Sequence, residues 1–583
     1  MTSILQGRAA LPGTAGTAGA SVVAPGSLAP APGDPAAPGA HPPAGPGTGA
    51  AADRPAGPHG PAAGHAGAGD APGGPEGQDA PARGAGGGQD AVAGGAPPFD
   101  LLIRGGRVVD GSGRPAFRAD VGVRGDRIAA VGDLAGARAR IVLDATGRVV
   151  APGFINAHSH TYEYAATHPD ADADLLQGIT TVIGGVDGRS PLPLAAFFAR
   201  LEAQGIGNNH ALFAGHGSLR AAVMGQARRA PRPQELQQMA RLLRRAMADG
   251  ALGLSTGLEY VPGRYARTDE LIALAREIAP YGGIYSTHMR SEGDAVAEAL
   301  AEALAIGRAA GVPVDISHFK VVYRRNWPRQ EELVAAIAAA RRQGQVVVAD
   351  VYPYLSPDYA SALPLQDAWR RYPAGDLLIR RSRVPGVAGR TLAEVAAAQG
   401  VAPAEAARRL LAADPATTVT ALVVSEENLR ALLRQPFTII SSDGGARSPA
   451  AARRDPRLHP RVYGAYPRVL ARYVRDQGVL SLEEAVHKMT GQPAAFFGLR
   501  DRGLVRAGMY ADLVVFDPAA IRDAADWVHP AVSPEGITAV VVNGRLAVED
   551  GRRVPGVRAG RVLRGGRDAL VGRAAPAGGD GGR

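Results

Sequence analysis

A small set of histidines and aspartates in the middle of this 583-residue chain has the residue types that bind a divalent metal ion. Each member ends or closely follows a short apolar run that is predicted to be a β-strand. The set comprises His158, His160, Asp187, His288, His318 and Asp443. A lone histidine at a strand end is more often a hydrogen-bonded structural residue, but four histidines at the ends of three strands favour a metal site. A bound divalent ion activates water and polarises a carbonyl, as hydrolysis requires.

The elements that must position these residues alternate between strand and helix. Amphipathic stretches rich in Ala, Leu and Arg separate eight apolar runs, which cover residues 153–158, 178–183, 210–214, 251–255, 283–288, 312–318, 346–351 and 437–442. Such alternation predicts an α/β fold, a TIM-like (β/α)8 barrel over residues 151–498, with its active site at the carboxyl ends of the strands. The stretch 356–436 is too long for one crossover, so we expect an insertion there, with extra helices or a lid.

The segments on either side of the barrel have a different pattern. Short Val- and Ile-rich runs separated by Gly-containing turns occupy 99–150 and return at 499–570, which predicts that both ends pair into one small β-sandwich domain. Residues 1–98 consist mostly of Ala, Gly and Pro and contain no aromatic residue, which predicts a disordered tail. Residues 571–583 are predicted to be a second flexible tail.

The composition excludes several classes of function. Without cysteine the chain has no disulfide, no thiolate nucleophile and no Cys-ligated metal. The net charge is +9, but all 64 basic residues except Lys320 and Lys488 are arginines, and no arginine cluster interleaved with aromatics predicts nucleic-acid binding. No apolar stretch of membrane-spanning length and no signal peptide is evident, so we expect a cytoplasmic protein. The sequence does not indicate an oligomeric state.

Several segments in order resemble the metal-dependent amidohydrolase superfamily. These are GFINAHSH, STHMR, ISHFK, SSDG and RAGMYADLVVFDP. Within the superfamily the chain is most similar to the D-aminoacylase group, the N-acyl-D-amino-acid deacylases, through segments such as QGITTVIGG, STGLEYVPGRYA and ADVYPY. The similarity extends over about 99–570.

The resemblance implies roles for the metal-site residues. His158 and His160 match the ligand pair of one metal position, His288 and His318 match the ligands of the other, and Asp443 matches the catalytic carboxylate that moves the proton. Asp187 stands where D-aminoacylases place a metal-bridging cysteine, and its carboxylate is also a competent ligand. We therefore expect zinc as one or two ions, with the count left open.

The resemblance also implies residues that bind the substrate. Lys320 and Tyr352 match residues of the group that hold the substrate α-carboxylate, and Arg290 is an available second cation. His216, in FAGHGSLR, either faces the substrate or packs in the fold. Asp358 stands near the place of a family serine, so it is expected to alter the recognition of an acidic substrate.

Together these features predict an enzyme that hydrolyses the linear amide of a small N-acylated D-amino acid. One alternative is an amidohydrolase acting on a cyclic or dipeptide-like amide. Because no lysine lies at the fourth strand, where relatives of the cyclic-amide branch carry a carboxylated lysine, that branch is disfavoured. A metal-binding homologue without catalytic activity is the other alternative.

Overall fold

The computed structural model describes residues 98–565. The predicted tails, at 1–98 and 571–583, therefore lie outside the described residues apart from Pro98. Within the described range, no helix combines the length and the apolar composition that a bilayer span needs.

The chain begins with five strands that build one half of a nine-stranded sheet. They are β1 (Phe99–Val108), β2 (Phe117–Arg124), β3 (Arg127–Gly132), β4 (Ala139–Asp144) and β5 (Val149–Pro152). β1 pairs with β2 in antiparallel fashion and with β4 and β5 in parallel. Alternate side chains of β1 and β2, such as Leu101, Ile103 and Val121, are buried on one face of this sheet, because side chains in a strand point to opposite faces in turn.

Parallel strands then form the barrel. They are β6 (Phe154–Asn156), β7 (Ile179–Gly184), β8 (Asn209–Leu212), β9 (Ala214–Gly215), β10 (Gly253–Gly257), β11 (Ile284–His288), β12 (Val314–Ile316) and β13 (Val347–Val351). β8 and β9 are two pieces of the third barrel strand, of which one pairs with β7 and the other with β10. Every residue of these strands is buried, as expected for a parallel sheet that is covered on both faces.

Helices connect the barrel strands along the outside. They are α1 (Thr161–Ala165), α2 (Asp172–Leu175), α3 (Leu194–Gln204), α4 (His216–Met224), α5 (Pro233–Asp249), α6 (Thr268–Ile278), α7 (Val296–Ala310) and α8 (Gln330–Arg342). α5 shows why such sequences become helical. Met239, Leu243 and Met247 recur at four-residue spacing and are buried, a proline stands in the first turn, and Gly250 ends the helix in the left-handed conformation.

The stretch 356–436 forms an insertion with its own small core. It contains the strands β14 (Leu363–Pro364), β15 (Leu377–Arg381) and β16 (Thr418–Ala421), and the helices α9 (Leu365–Ala368), α10 (Leu392–Ala398), α11 (Pro403–Ala413) and α12 (Glu426–Leu433). The extra helices were predicted, but the antiparallel sheet was not.

The last barrel strand, β17 (Thr438–Ile440), pairs with β13. Backbone contacts just beyond the strands close the barrel, because the Asp443 N–H donates to the His158 carbonyl at 3.0 Å and Ser159 bridges to Gly444. The helices α13 (Pro449–Arg454), α14 (Arg461–Arg468), α15 (Leu482–Met489) and α16 (Gly491–Phe497) follow, and Val469–Asp476 extends α14 as a π-helix.

The final strands complete the first sheet. They are β18 (Leu513–Phe516), β19 (Ile537–Val542), β20 (Arg545–Glu549) and β21 (Arg552–Arg553). β18 pairs with β5 in antiparallel fashion, so strands from both ends of the described chain share one nine-stranded sheet, and their apolar faces pack in one core. The segment after β21 was expected in the same domain. It instead reaches the barrel, where Gly560 bridges to Ile206 and Val562 to His210.

Candidate metal centre and active site

The predicted metal-site residues meet at the carboxyl ends of the barrel strands. They form two overlapping groups in which one ligand atom from each residue lies within 4.8 Å of the others. The first group contains His158, His160, Asp187 and Asp443, and the second contains Asp187, His288 and His318. We call these residues together the metal cluster.

Asp187 lies at the centre of the metal cluster. Its Oδ1 is 3.4 Å from His158 Nε2 and 3.3 Å from His318 Nε2, and its Oδ2 is 3.4 Å from His160 Nε2. His288 Nδ1 is 3.8 Å from Asp187 Oδ1. One ring nitrogen of each histidine therefore faces this carboxylate, and the group would hold one or two metal ions.

The two histidines of the HxH pair lie beyond the end of β6. His160 has the dihedral angles φ −95° and ψ 8° and precedes α1, so the pair does not continue the extended backbone of the strand. The ring centroids of His158 and His160 are nevertheless only 5.6 Å apart, because the turn after the strand directs both rings toward Asp187.

Three members of the metal cluster have strained backbones. Asp187, His318 and Asp443 have φ angles of 54°, 36° and 49°, in a region that non-glycine residues rarely adopt. Strain of this kind persists where surrounding contacts impose it, and it is concentrated at functional sites. For Asp187 one such contact is with Gly257, where an added Cβ would lie 2.3 Å from the Asp187 carbonyl oxygen.

The ion-free cluster attracts positive charge. Burial alone would lower the pKa of His158, but the carboxylates of Asp187 and Asp350 raise it to about 9. Burial and Lys320 would lower the pKa of His318, but Asp187 and Glu292 raise it to about 10. In the absence of an ion, the histidines therefore carry protons. A metal ion that binds to them would displace these protons.

The donor set fits a divalent metal ion. The cluster offers imidazole nitrogens and carboxylate oxygens, the ligands that zinc binds. His158 is fully buried, and neither of its ring nitrogens has a hydrogen-bond partner among residues 98–565. Unpaired buried polar atoms are costly, and a metal ion would satisfy the nitrogen that faces the cluster.

Asp443 is held by an arginine that the sequence did not single out. Arg461, the first residue of α14, donates from Nη1 to Asp443 Oδ2 at 2.7 Å. Asp443 Oδ1 stays directed at His160 Nε2, at 3.3 Å. Burial would raise the pKa of Asp443, but Arg461 and the histidines hold it well below its usual range, so the group is a carboxylate.

Two cations flank the ring of Tyr352. Lys320 Nζ lies 5.3 Å and Arg461 Cζ lies 5.0 Å from the ring centroid. The Tyr352 hydroxyl is buried and has no hydrogen-bond partner within the described part of the chain. Lys320 also donates to Glu292 Oε1 at 2.5 Å and to the carbonyl of His318 at 2.9 Å.

The side chains of Arg290 and His216 are bonded to partners outside the metal cluster. Arg290 forms an ion pair with Glu302 at 2.8 Å. His216 Nε2 lies 2.9 Å from Glu270, which also pairs with Arg220 in the interior. Asp358, expected to affect acidic substrates, is exposed and contributes negative charge near Arg461.

Sequence reasoning missed Arg461 and four carboxylates that surround the histidines. Arg461 is one of many arginines in the chain, so its residue type carried no signal. The carboxylates are Glu163, Glu259, Glu292 and Asp350. Three of them follow a strand-end histidine or the STGL segment within a few residues, and that short spacing was the available signal.

An α/β barrel with a buried His and Asp cluster at the carboxyl ends of its strands defines the class of metal-dependent barrel hydrolases. The sequence model that describes the amidohydrolase family matches residues 142–548. The chain therefore belongs to this family.

Its relatives include proteins that are named for deacylation. A D-aminoacylase from Alcaligenes xylosoxydans xylosoxydans is 41% identical over 80% of this chain and 98% of its own length. An N-acyl-D-glutamate deacylase of the same organism is 40% identical over 81% and 97%. The crystal structure of an N-acyl-D-glutamate deacylase from Bordetella bronchiseptica, complexed with zinc and a phosphonate inhibitor, is 38% identical. The superposition covers 80% of this chain and the whole of the Bordetella chain, with a TM-score of 0.67.

Proposed function

We propose that this protein hydrolyses the linear amide of N-acyl-D-amino acids, releasing a carboxylate and a free D-amino acid, with zinc as its metal. The observation that carries the proposal is the geometry of Asp443, a member of the metal cluster with one oxygen directed at His160 and the other bonded to Arg461, one of the two cations beside Tyr352. The D configuration rests on the names of the relatives. Cytoplasmic location and the lack of a nucleic-acid partner stay predictions from the sequence.

The metal cluster would hold one or two zinc ions, with Asp187 placed to share them. A divalent ion bound there supplies a nucleophile at neutral pH and polarises the amide carbonyl. His158, His160, His288 and His318 would each bind through the ring nitrogen that faces Asp187.

Asp443 would move the proton. Its Oδ2 is occupied by Arg461, so Oδ1 is the atom free to accept the proton of the attacking water and to return it to the leaving nitrogen. The Arg461 bond fixes the carboxylate plane, which keeps Oδ1 directed at the cluster throughout.

Lys320, Arg461 and Tyr352 would bind the substrate α-carboxylate. Two cations near one buried phenol hydroxyl that lacks a partner suit an anionic group with two oxygens. Arg290 and His216 are not used in this proposal, because their carboxylate partners, Glu302 and Glu270, lie outside the metal cluster. A linear amide is favoured over a cyclic one because β10, the fourth barrel strand, contains no lysine.

The test is the release of free amine from a panel of N-acetyl-D- and N-acetyl-L-amino acids, with zinc, after chelation, and with Asp443→Asn. We expect release from D substrates that stops on chelation. The variant should keep its zinc and lose about 10²–10⁴-fold in rate, which is the range of general acid–base catalysis.

Relatives named for N-acyl-D-glutamate and N-acyl-D-aspartate are 40% and 38% identical to this chain, so the panel also determines the side-chain preference. Absence of release from every member, in a protein that holds zinc, would contradict the deacylase proposal. A loss below about tenfold in Asp443→Asn would contradict the role of Asp443.

A further inference from the structure

Each histidine of the metal cluster has a carboxylate behind it. One ring nitrogen faces Asp187, and the other, which we call the outer nitrogen, lies near a carboxylate of its own. The four pairs are His158 Nδ1 with Asp350 (3.5 Å), His160 Nδ1 with Glu163 (3.1 Å), His288 Nε2 with Glu259 (3.4 Å) and His318 Nδ1 with Glu292 (2.9 Å). We call Glu163, Glu259, Glu292 and Asp350 the outer carboxylates.

The chemistry of imidazole gives this arrangement a meaning. A neutral imidazole carries one N–H and one lone pair, and only the lone pair binds a metal. A carboxylate at the outer nitrogen accepts the N–H, so the lone pair is held on the nitrogen that faces the cluster, and the ring cannot rotate away.

We propose that the four outer carboxylates are positioning residues, which set the tautomer and the orientation of the four histidines for metal binding. The inference rests on the proposed metal site and deepens it. None of the four is placed in contact with the substrate or the reacting atoms.

Burial supports the proposal most strongly for Asp350 and Glu292. Asp350 is fully buried at the end of β13, and neither of its oxygens has a hydrogen-bond partner among residues 98–565. A buried carboxylate without partners is costly, and His158 Nδ1 lies 3.5 Å from Asp350 Oδ2, so this carboxylate would accept the Nδ1–H when a metal ion occupies the other ring nitrogen. Glu292 is 3% exposed and lies 2.9 Å from His318 Nδ1. Unlike Asp350 it also accepts a hydrogen bond from Lys320, whose Nζ lies 3.0 Å from the same His318 nitrogen.

Charge also supports the proposal. The outer carboxylates together with Asp187 and Asp443 are six acidic side chains, and Lys320 and Arg461 are two basic side chains near them. Asp350 and Glu292 are buried, and a buried charge must be compensated, which metal ions bound at the cluster would do. The outer carboxylates therefore increase the attraction of the cluster for metal ions as well as orienting the rings.

The chain contains a matched control for Glu292. Glu292 pairs with one histidine and one cation, His318 at 2.9 Å and Lys320 at 2.5 Å. Glu270 does the same away from the metal cluster, with His216 at 2.9 Å and Arg220 at 2.6 Å. Both glutamates are buried, so Glu292→Gln and Glu270→Gln remove equivalent interactions, and only the first touches a metal-cluster histidine.

The experiment measures zinc affinity by competition with a chromophoric chelator, and the rise in Tm on adding zinc, for the full chain and both variants. We expect Glu292→Gln to lower zinc affinity by about 10–100-fold, the usual effect of removing an outer partner of a metal ligand. Glu270→Gln is expected to lower the Tm of the metal-free protein and to leave zinc affinity unchanged.

Glu163→Gln is the second variant, since Glu163 is partly exposed and its loss should not prevent folding. It is expected to weaken zinc binding through His160, and it decides the test if Glu292→Gln does not fold. Wild-type zinc affinity in the Gln variants that fold would overturn the inference. A wild-type protein that binds zinc but releases no amine would overturn only the deacylase proposal, and one that binds no zinc would overturn both.

Discussion

Asp187 is the residue around which the histidines of the metal cluster are arranged. Its two oxygens contact histidines of both ligand groups, and its own backbone is in the left-handed region. The two oxygens of Asp187 would allow it to hold one or two ions, whereas the cysteine that the family resemblance implies at this position would offer a single sulfur atom. Sequence reasoning identified the residue, but its central position depends on contacts with distant strands.

The buried side chain of His210 makes the free energy of unfolding depend on pH. This residue of β8 is almost fully buried, and burial lowers its pKa to about 4, against about 6.5 in an unfolded chain. The folded state therefore binds the proton less readily than the unfolded state. Above pH 6.5 His210 is neutral in both states and does not oppose folding. As the pH falls from 6.5 to 4, the unfolded state takes up the proton first, so the free energy of unfolding decreases. The shift corresponds to about 3 kcal/mol at the acid end.

The measurement is the free energy of unfolding between pH 7 and pH 4 for the wild type and His210→Gln, with chelator present throughout. We expect the variant to lose less stability over this range, by up to about 3 kcal/mol. Parallel curves for the two proteins would contradict the prediction.

At the scale of elements, a glycine at the end of a barrel strand decides how closely the loop of a neighbouring strand can approach it. Gly257 ends β10, and an alanine there would place its Cβ 2.3 Å from the Asp187 carbonyl oxygen, about 1 Å closer than ordinary contact. The loop that carries Asp187 would have to move. Gly375 has open space around its Cβ position, so Gly375→Ala serves as the matched control.

We expect Gly257→Ala to fold and to lose about 10²-fold in kcat/KM, because a displacement of about 1 Å in a catalytic site has an effect of that size. Zinc affinity should fall with it. The paired measurements are zinc content and amine release for both variants, and full activity in Gly257→Ala would show that Asp187 does not depend on this close approach.

The sequence predicted the barrel well because its signal is local. All eight apolar runs became barrel strands within two residues of the expected bounds, and continuous apolar runs are typical of buried parallel strands. The sheet of the insertion was missed because β14 has only two residues and β15 reaches β16 across a long connection. Arg461 was missed for the same reason, since only the fold brings α14 back to Asp443.

On the scale of the whole molecule, the residues of the proposed site are confined to the barrel. The metal cluster, the outer carboxylates and the proposed substrate-binding residues all lie between His158 and Arg461. Removal of residues 1–97 is therefore expected to leave kcat/KM and the Tm unchanged. A purified chain beginning at Pro98 provides the measurement, and an insoluble product or a loss of turnover would contradict the expectation.

The nine-stranded sheet has a consequence for the order of events on the ribosome. β5 needs β18 as its neighbour, yet about 360 residues separate Pro152 from Leu513. At about 5–20 residues per second, β5 waits roughly 20–70 s for that partner to be synthesised. Throughout this interval its edge is an open template for pairing with other nascent chains. Translation that stalls before Leu513 would thus leave a barrel that has the residues of the metal cluster but an apolar strand edge without its partner, until β18 (Leu513–Phe516) is made.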